Sequence, residues 1–259
     1  MKEQSMISND IDAVIFDMGG TLLDYDPVPA DEMRVIRTDE ITRFLNSKGY
    51  KLKPREIEEC LIAPYYEYNL IESEKTLREI NLCECIKKGL ERLRVAEDYS
   101  LWIINLIHRL LKENLIVYSG STEALEMLAP HYALGLISNT TIPGIFFYRD
   151  LEETGMAKYF KHSLFTADWG FRKPHSSVFY RMLELLGKEP ERSLYVGDSF
   201  KNDIYGPFSI GMKTAWINPQ NLPRPAEFKG ITPDYEVKSV RELAALILND
   251  KNPPGKSKD

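Results

Sequence analysis

The sequence predicts an α/β fold: a doubly wound parallel-sheet core with an inserted all-α cap domain. Three observations carry this expectation. A short apolar, β-branched run, Ile11–Phe16, stops at Asp17 and a Gly-Gly pair, as a buried strand ending in a turn would. A long helical stretch from Pro27 to Leu115 follows, with almost no strand signal. Beyond it, short apolar runs alternate with helical segments, the pattern of a parallel sheet covered on both faces. The core is therefore expected to comprise residues 1–24 and 115–259, and the cap residues 25–114.

The elements follow in order. Within the cap, helices are expected over Asp31–Ser47, Pro54–Glu72, Thr76–Arg94 and Glu97–Lys112, with Gly49 and Pro54 separating the first two. After the cap, a helix at Thr122–Ala129 precedes a strand at Tyr132–Ser138. A helix at Ile145–Thr154 precedes a short strand at Ser163–Thr166, and a helix at Ser177–Leu186 precedes Ser193–Val196. A helix after Asp203 leads to Lys213–Ile217. Tyr235–Val237 and a helix from Val240 close the fold, and DKNPPGKSKD has the composition of a frayed tail.

Composition excludes several function classes. With 43% hydrophobic and 28% charged residues, the chain has the make-up of a globular protein rather than a disordered or collagen-like one. A net charge of −6 argues against nucleic-acid binding and against a polybasic membrane surface. The N-terminal MKEQSMISND has no apolar signal core, and no apolar run reaches membrane-spanning length. The three cysteines, Cys60, Cys83 and Cys85, fit neither a disulfide framework nor a zinc spacing and read as reduced thiols. A cytoplasmic protein is expected.

In open parallel sheets, ligands bind beyond the carboxyl ends of the strands. The polar residues falling there are Asp17 after AVIF, Ser138 and Asn139 after LGLI, and Asp198 after LYVG. Asp203 lies five residues beyond Asp198, and Lys173 sits in the turn GFRKP. Carboxylates with one lysine and one hydroxyl suit a magnesium-assisted phosphoryl site, because magnesium takes a few carboxylates and keeps several waters. Lysine and hydroxyl would hold the other phosphoryl oxygens, and Asp17 can serve as a nucleophile forming an aspartyl phosphate.

At this point the sequence resembles a known family. FDMGGTLLD, LISN, RKP and VGDSFKND look like the four ordered motifs of the haloacid dehalogenase superfamily, with its cap placed between the first and second. The resemblance implies a Rossmann-like core and assigns roles. Asp17 is similar to the family's nucleophile. Ser138, with help from Asn139, resembles the phosphate-binding residue, and Lys173 the lysine that pairs with nucleophile and phosphate. Asp198 resembles the Mg2+ carboxylate, and Asp203 its companion, holding the metal's water or the lysine. The backbone carbonyl of Gly19 takes the place of a further metal ligand. The implied partner is a small phosphorylated substrate.

One departure bears on chemistry. Family phosphatases usually carry a second aspartate, the general acid and base, where this chain has Gly19. General acid–base catalysis contributes about 10²–10⁴ in rate, so substrates with good leaving groups are expected: acyl phosphates, anhydrides or aryl phosphates. Asp24 and Asp26 lie just beyond, and a solvated turn is the favoured reading of both. Two alternatives stand: a non-catalytic or regulatory binder of phosphorylated ligands, motivated by Gly19, and a phosphonate-cleaving hydrolase. The latter needs a cap lysine of depressed pKa, and Lys48, Lys51, Lys53 and Lys75 lack the apolar context for one.

Taken singly, these residues read more simply. An aspartate after a strand forms turns, Asp203 could merely cap a helix, and Gly20 serves a left-handed turn. The joint pattern reverses the reading for Asp17. His108, His131, His162 and His175 form no metal pair. Tyr65, Tyr66 and Tyr68 have two readings, lining a substrate pocket or, the favoured one, packing between cap helices; Trp169 likewise either faces the site or, as favoured, packs at the core or rim. No GxxxxGK[ST] loop, GxGxxG fingerprint or GxSxG elbow is present.

Overall fold

The computed structural model of the chain describes residues 10–25 and 28–251. Residues 1–9, Asp26, Pro27 and nearly all of the tail expected to fray lie outside the described residues. The strands are β1 (Ala13–Phe16), β2 (Leu23–Tyr25), β3 (Leu115–Val117), β4 (Ala133–Ser138), β5 (His162–Phe165), β6 (Ser193–Gly197), β7 (Lys213–Ile217) and β8 (Tyr235–Val237). The main helices are α1 (Ala30–Ser47), α2 (54–76), α3 (Leu82–Arg92), α4 (Ser100–Lys112), α5 (Ser121–Leu128), α6 (Gly144–Glu153), α7 (Ser176–Leu186), α8 (200–208) and α9 (Val240–Lys251).

Six strands form one parallel sheet in the order β5-β4-β1-β6-β7-β8. All four residues of β1 are buried, which is why its sequence reads as an unbroken apolar run. Successive side chains go to opposite faces. Val14, Phe16, Leu136 and Val196 join the cluster that holds Leu125 of α5 and Leu243 of α9. Ile15, Ile137 and Tyr195 join Val178, Phe179 and Met182 of α7 on the other face. Since β1 lies between β4 and β6, Asp17, Ser138 and Asp198 emerge at adjacent strand ends.

The cap departs from expectation in two places. First, the chain leaves the sheet layer along β2 and returns along β3, and these two short strands pair antiparallel, Leu23 with Val117 and Tyr25 with Leu115. Neither was expected, since three residues are too few to show a period. Asp24 thus sits in a strand, accepting from Tyr118 Oη at 3.1 Å, instead of in a solvated turn. Second, the segment expected to start a helix at Thr76 turns away. Leu77 is left-handed, with φ 53°. Residues 77–80 cross to the core instead, where Glu79 N–H donates to Gly170 O at 3.0 Å and Arg172 N–H donates to Leu77 O at 3.0 Å. Helix α3 starts only at Leu82, after Asn81, whose side chain accepts from Glu84 N–H at 3.1 Å.

Candidate active site

Three strand ends and two turns build the site. Asp17 ends β1 and is 8% exposed. One of its oxygens accepts from Met18 N–H at 2.7 Å, which fixes the carboxylate against its own backbone. Lys173 reaches in from the turn before α7, and its Nζ lies 2.9 Å from Asp17 Oδ1 and 2.7 Å from Asp203 Oδ1. Both Lys173 and Asp203 are buried. The Lys173 ammonium also donates to Tyr195 Oη at 3.0 Å, and Tyr195 passes a hydrogen bond to Ile137 O at 3.2 Å.

The electrostatics follow from burial and charge. Burial alone would lower the Lys173 pKa, but Asp17 and Asp203 outweigh it and hold the ammonium well above its ordinary range. Burial pushes the Asp203 carboxyl up against the downward pull of Lys173. Removing either partner would leave an uncompensated charge in the interior. Asp198 faces the open mouth of the site. The protein mass around it, and then the charge of Asp17, push its carboxyl up to about 6.

Ligand oxygens of Asp17, Asp198 and Asp203 lie within 4.8 Å of one another. An all-oxygen donor set of this kind fits a hard divalent cation. Asp203 is the least available of the three: Oδ1 holds Lys173 and Oδ2 accepts from Ser199 N–H at 3.0 Å. The glycines clear the way for these carboxylates. A Cβ on Gly197 would meet the Asp203 carboxyl at 2.4 Å, whereas one on Gly19 would meet nothing within 4 Å.

Ser138 is buried at the end of β4. Asn139, expected to help bind phosphate, also holds the lysine turn, with one Nδ2 hydrogen left over. Its Oδ1 accepts from Lys173 N–H at 2.8 Å and its Nδ2 donates to Lys173 O at 3.2 Å. That grip positions the lysine turn.

Sequence reasoning missed Tyr195 and Arg37 here and favoured a packing role for Tyr65. Tyr195 is hidden as one aromatic in a buried strand, with no local sign that its hydroxyl meets a lysine. Tyr65 packs edge-on to Tyr66, as favoured, and also reaches the core, its hydroxyl 3.0 Å from Thr141 Oγ1. Arg37 is buried on the inward stripe of α1 with Met33, Ile41 and Leu45. Its signal was readable: an arginine at a spacing of four within an apolar stripe.

The chain is similar to known proteins of one family. A model of the haloacid dehalogenase-like hydrolase family matches residues 11–209. N-acylneuraminate-9-phosphatase of Homo sapiens is 29% identical over 251 residues, covering 91% of this chain and 93% of that protein. Among solved structures, a HAD phosphatase from Thermococcus onnurineus superposes with a TM-score of 0.63 at 26% identity, over 92% of this chain and 98% of that one. A 2-haloacid dehalogenase from Pseudomonas syringae pv. Tomato gives a TM-score of 0.67 at 23% identity over 92% and 98%, a likeness of fold.

Proposed function

The chain belongs to the haloacid dehalogenase-like hydrolases, and from that premise we propose that it is a magnesium-dependent phosphatase acting on a small molecule through phospho-Asp17. The observation that carries this reading is the Lys173 ammonium held between Asp17 and Asp203, with Asp198 completing an oxygen cluster. Two relatives described above are named as phosphatases, which supports the same class here.

Asp17 attacks phosphorus while the bond to the leaving oxygen breaks, and that oxygen departs with the electron pair. Water then attacks the phosphorus of the aspartyl phosphate, restoring the carboxylate and releasing inorganic phosphate. Lys173 offsets charge on the nucleophile and on the phosphoryl oxygens, and Ser138 donates to them. Asp203 and Asn139 position Lys173. Asp17, Asp198 and the Gly19 carbonyl, with Asp203 behind, would hold Mg2+, which when bound supplies further neutralisation of phosphoryl charge. With glycine at position 19, good leaving groups are favoured. In this reading residues 25–114 are the cap that closes on the substrate, and the protein is cytoplasmic and binds no nucleic acid. Among the described residues no helix is long and apolar enough to cross a membrane.

The phosphonate-cleaving alternative loses ground, since Lys48, Lys51, Lys53 and Lys75 are all exposed and offer no desolvated amine. The test is hydrolysis of acetyl phosphate and p-nitrophenyl phosphate with and without magnesium. Turnover should require the ion and fall by about 10³-fold or more in Asp17→Asn. Tight phosphate-ester binding without turnover would favour the binder.

A further inference from the structure

Among the described residues, a buried cation without a counter-ion stands beside the Asp17 site. Arg37 is 6% exposed. Its Nη1 donates to Tyr66 Oη at 3.0 Å, while its Nε is buried with no hydrogen-bond partner. Among the described residues no carboxylate pairs with it. A guanidinium removed from water and left short of both charge and hydrogen bonds is costly to keep, so its retention calls for a ligand.

Arg37 lines a cavity of about 190 Å³ between cap and core. Tyr65 and Glu79 contribute from the cap, and Asn139, Thr140 and Arg172 from the core. Two of these tie the cavity to the phosphoryl site. Asn139 grips the Lys173 backbone, and Arg172 is the neighbour of Lys173 in the chain. Among the described residues that line the cavity, the fixed charges leave a surplus of one. Glu79 Oε2 lies 3.9 Å from Arg172 Nε, so these two face each other. Arg37 is the cation that remains. The Thr140 hydroxyl is also buried without a partner.

We propose that this cavity receives a carboxylate of the substrate, with Arg37 as the specificity-determining residue, so that the enzyme acts on phosphorylated acids. The inference rests on the phosphoryl-transfer reading of Asp17. A carboxylate is flat, and its two oxygens match the planar fork of a guanidinium. Its single negative charge equals the surplus. A second phosphate would bring extra negative charge close to Glu79. Thr140 offers the remaining donor.

The test is binding to the full chain with magnesium, so it needs no turnover. The probes are ω-phosphonocarboxylates of increasing length, alkylphosphonates of matched length, and α,ω-bisphosphonates. One length of phosphonocarboxylate should bind roughly tenfold tighter than its alkyl counterpart. Arg37→Met should bring that ratio near one. If Arg37→Met does not fold, Arg37→Lys serves, because it keeps the charge, loses the fork and should shrink the ratio. Equal binding of the two series would overturn the proposal, and so would a bisphosphonate that outbinds the phosphonocarboxylate. If no phosphonate binds, the phosphoryl reading fails separately, and propionate decides: a rise in melting temperature that Arg37→Met or Arg37→Lys abolishes upholds the carboxylate site, and no rise overturns it.

Discussion

The Asp198 carboxylate lies directly against the backbone of Gly20. A Cβ at Gly20 would sit 2.6 Å from Asp198 Cγ, and Gly20 adopts a left-handed φ of 75°. Any side chain there meets both a steric and a conformational penalty. Gly20→Ala should therefore displace Asp198 and weaken magnesium binding roughly tenfold or more, at about 1 kcal/mol of backbone strain. Titration of the ion by calorimetry checks this. An unchanged affinity would mean that Asp198 does not hold the metal.

The neighbouring glycine should behave in the opposite way. Gly19 has open space where a Cβ would stand, and its φ is not left-handed. Gly19→Asp should fold, supply the missing proton donor and raise kcat on alkyl phosphates, by at most about 10²–10⁴. The gain should be much smaller on acyl phosphates, whose leaving group needs little protonation. A folded variant with no gain on either substrate would mean that another group already protonates the leaving oxygen.

The raised pKa of Asp198, about 6, sets a pH window. In the unfolded chain an aspartate titrates near 3.9. Between these values the folded protein binds more protons than the unfolded one, so the metal-free protein loses stability from this group as pH rises through the window. A cation recovers that loss by pairing with the ionised form. The increase in melting temperature caused by magnesium should thus be small at pH 5 and grow as pH passes 6. A metal-induced shift that is flat from pH 5 to 7.5 would refute the assignment.

Asp150 anchors the joint between cap and core. It is fully buried in α6 and accepts from Tyr25 Oη of β2 at 2.7 Å. His108 Nε2 of α4 lies 2.8 Å away and Lys112 Nζ 3.2 Å away. Burial alone would raise the carboxyl, but the bonds from His108 and Tyr25 prevail and hold it below the ordinary aspartate value. Its contribution is therefore present above about pH 4 and lost as acid carries the solution through the lower folded-state value. Asp150→Ala should cost about 3 kcal/mol at pH 7, measured by urea unfolding, and the difference from wild type should narrow on acidification. A cost below about 1 kcal/mol would remove Asp150 as an anchor.

The sequence by itself determined the parallel sheet, the helical insertion and the carboxylates that end β1 and β6. Those features are local: an apolar run fixes a buried strand, and the residue after it lies at the strand's end. Asp17, Ser138 and Asp198 were legible for that reason. Tertiary structure alone decided who meets whom across the chain. Lys173 finds Tyr195, residues 77–80 leave a helical pattern to bond the core at 170–172, and β2 pairs with β3 across the whole cap. Periodicity reports which side of an element is buried, and the partner found there comes from distant chain. Arg37 makes the point most clearly: its place on an inward stripe can be read from spacing, but that no carboxylate among the described residues pairs with it is a property of the assembled cavity.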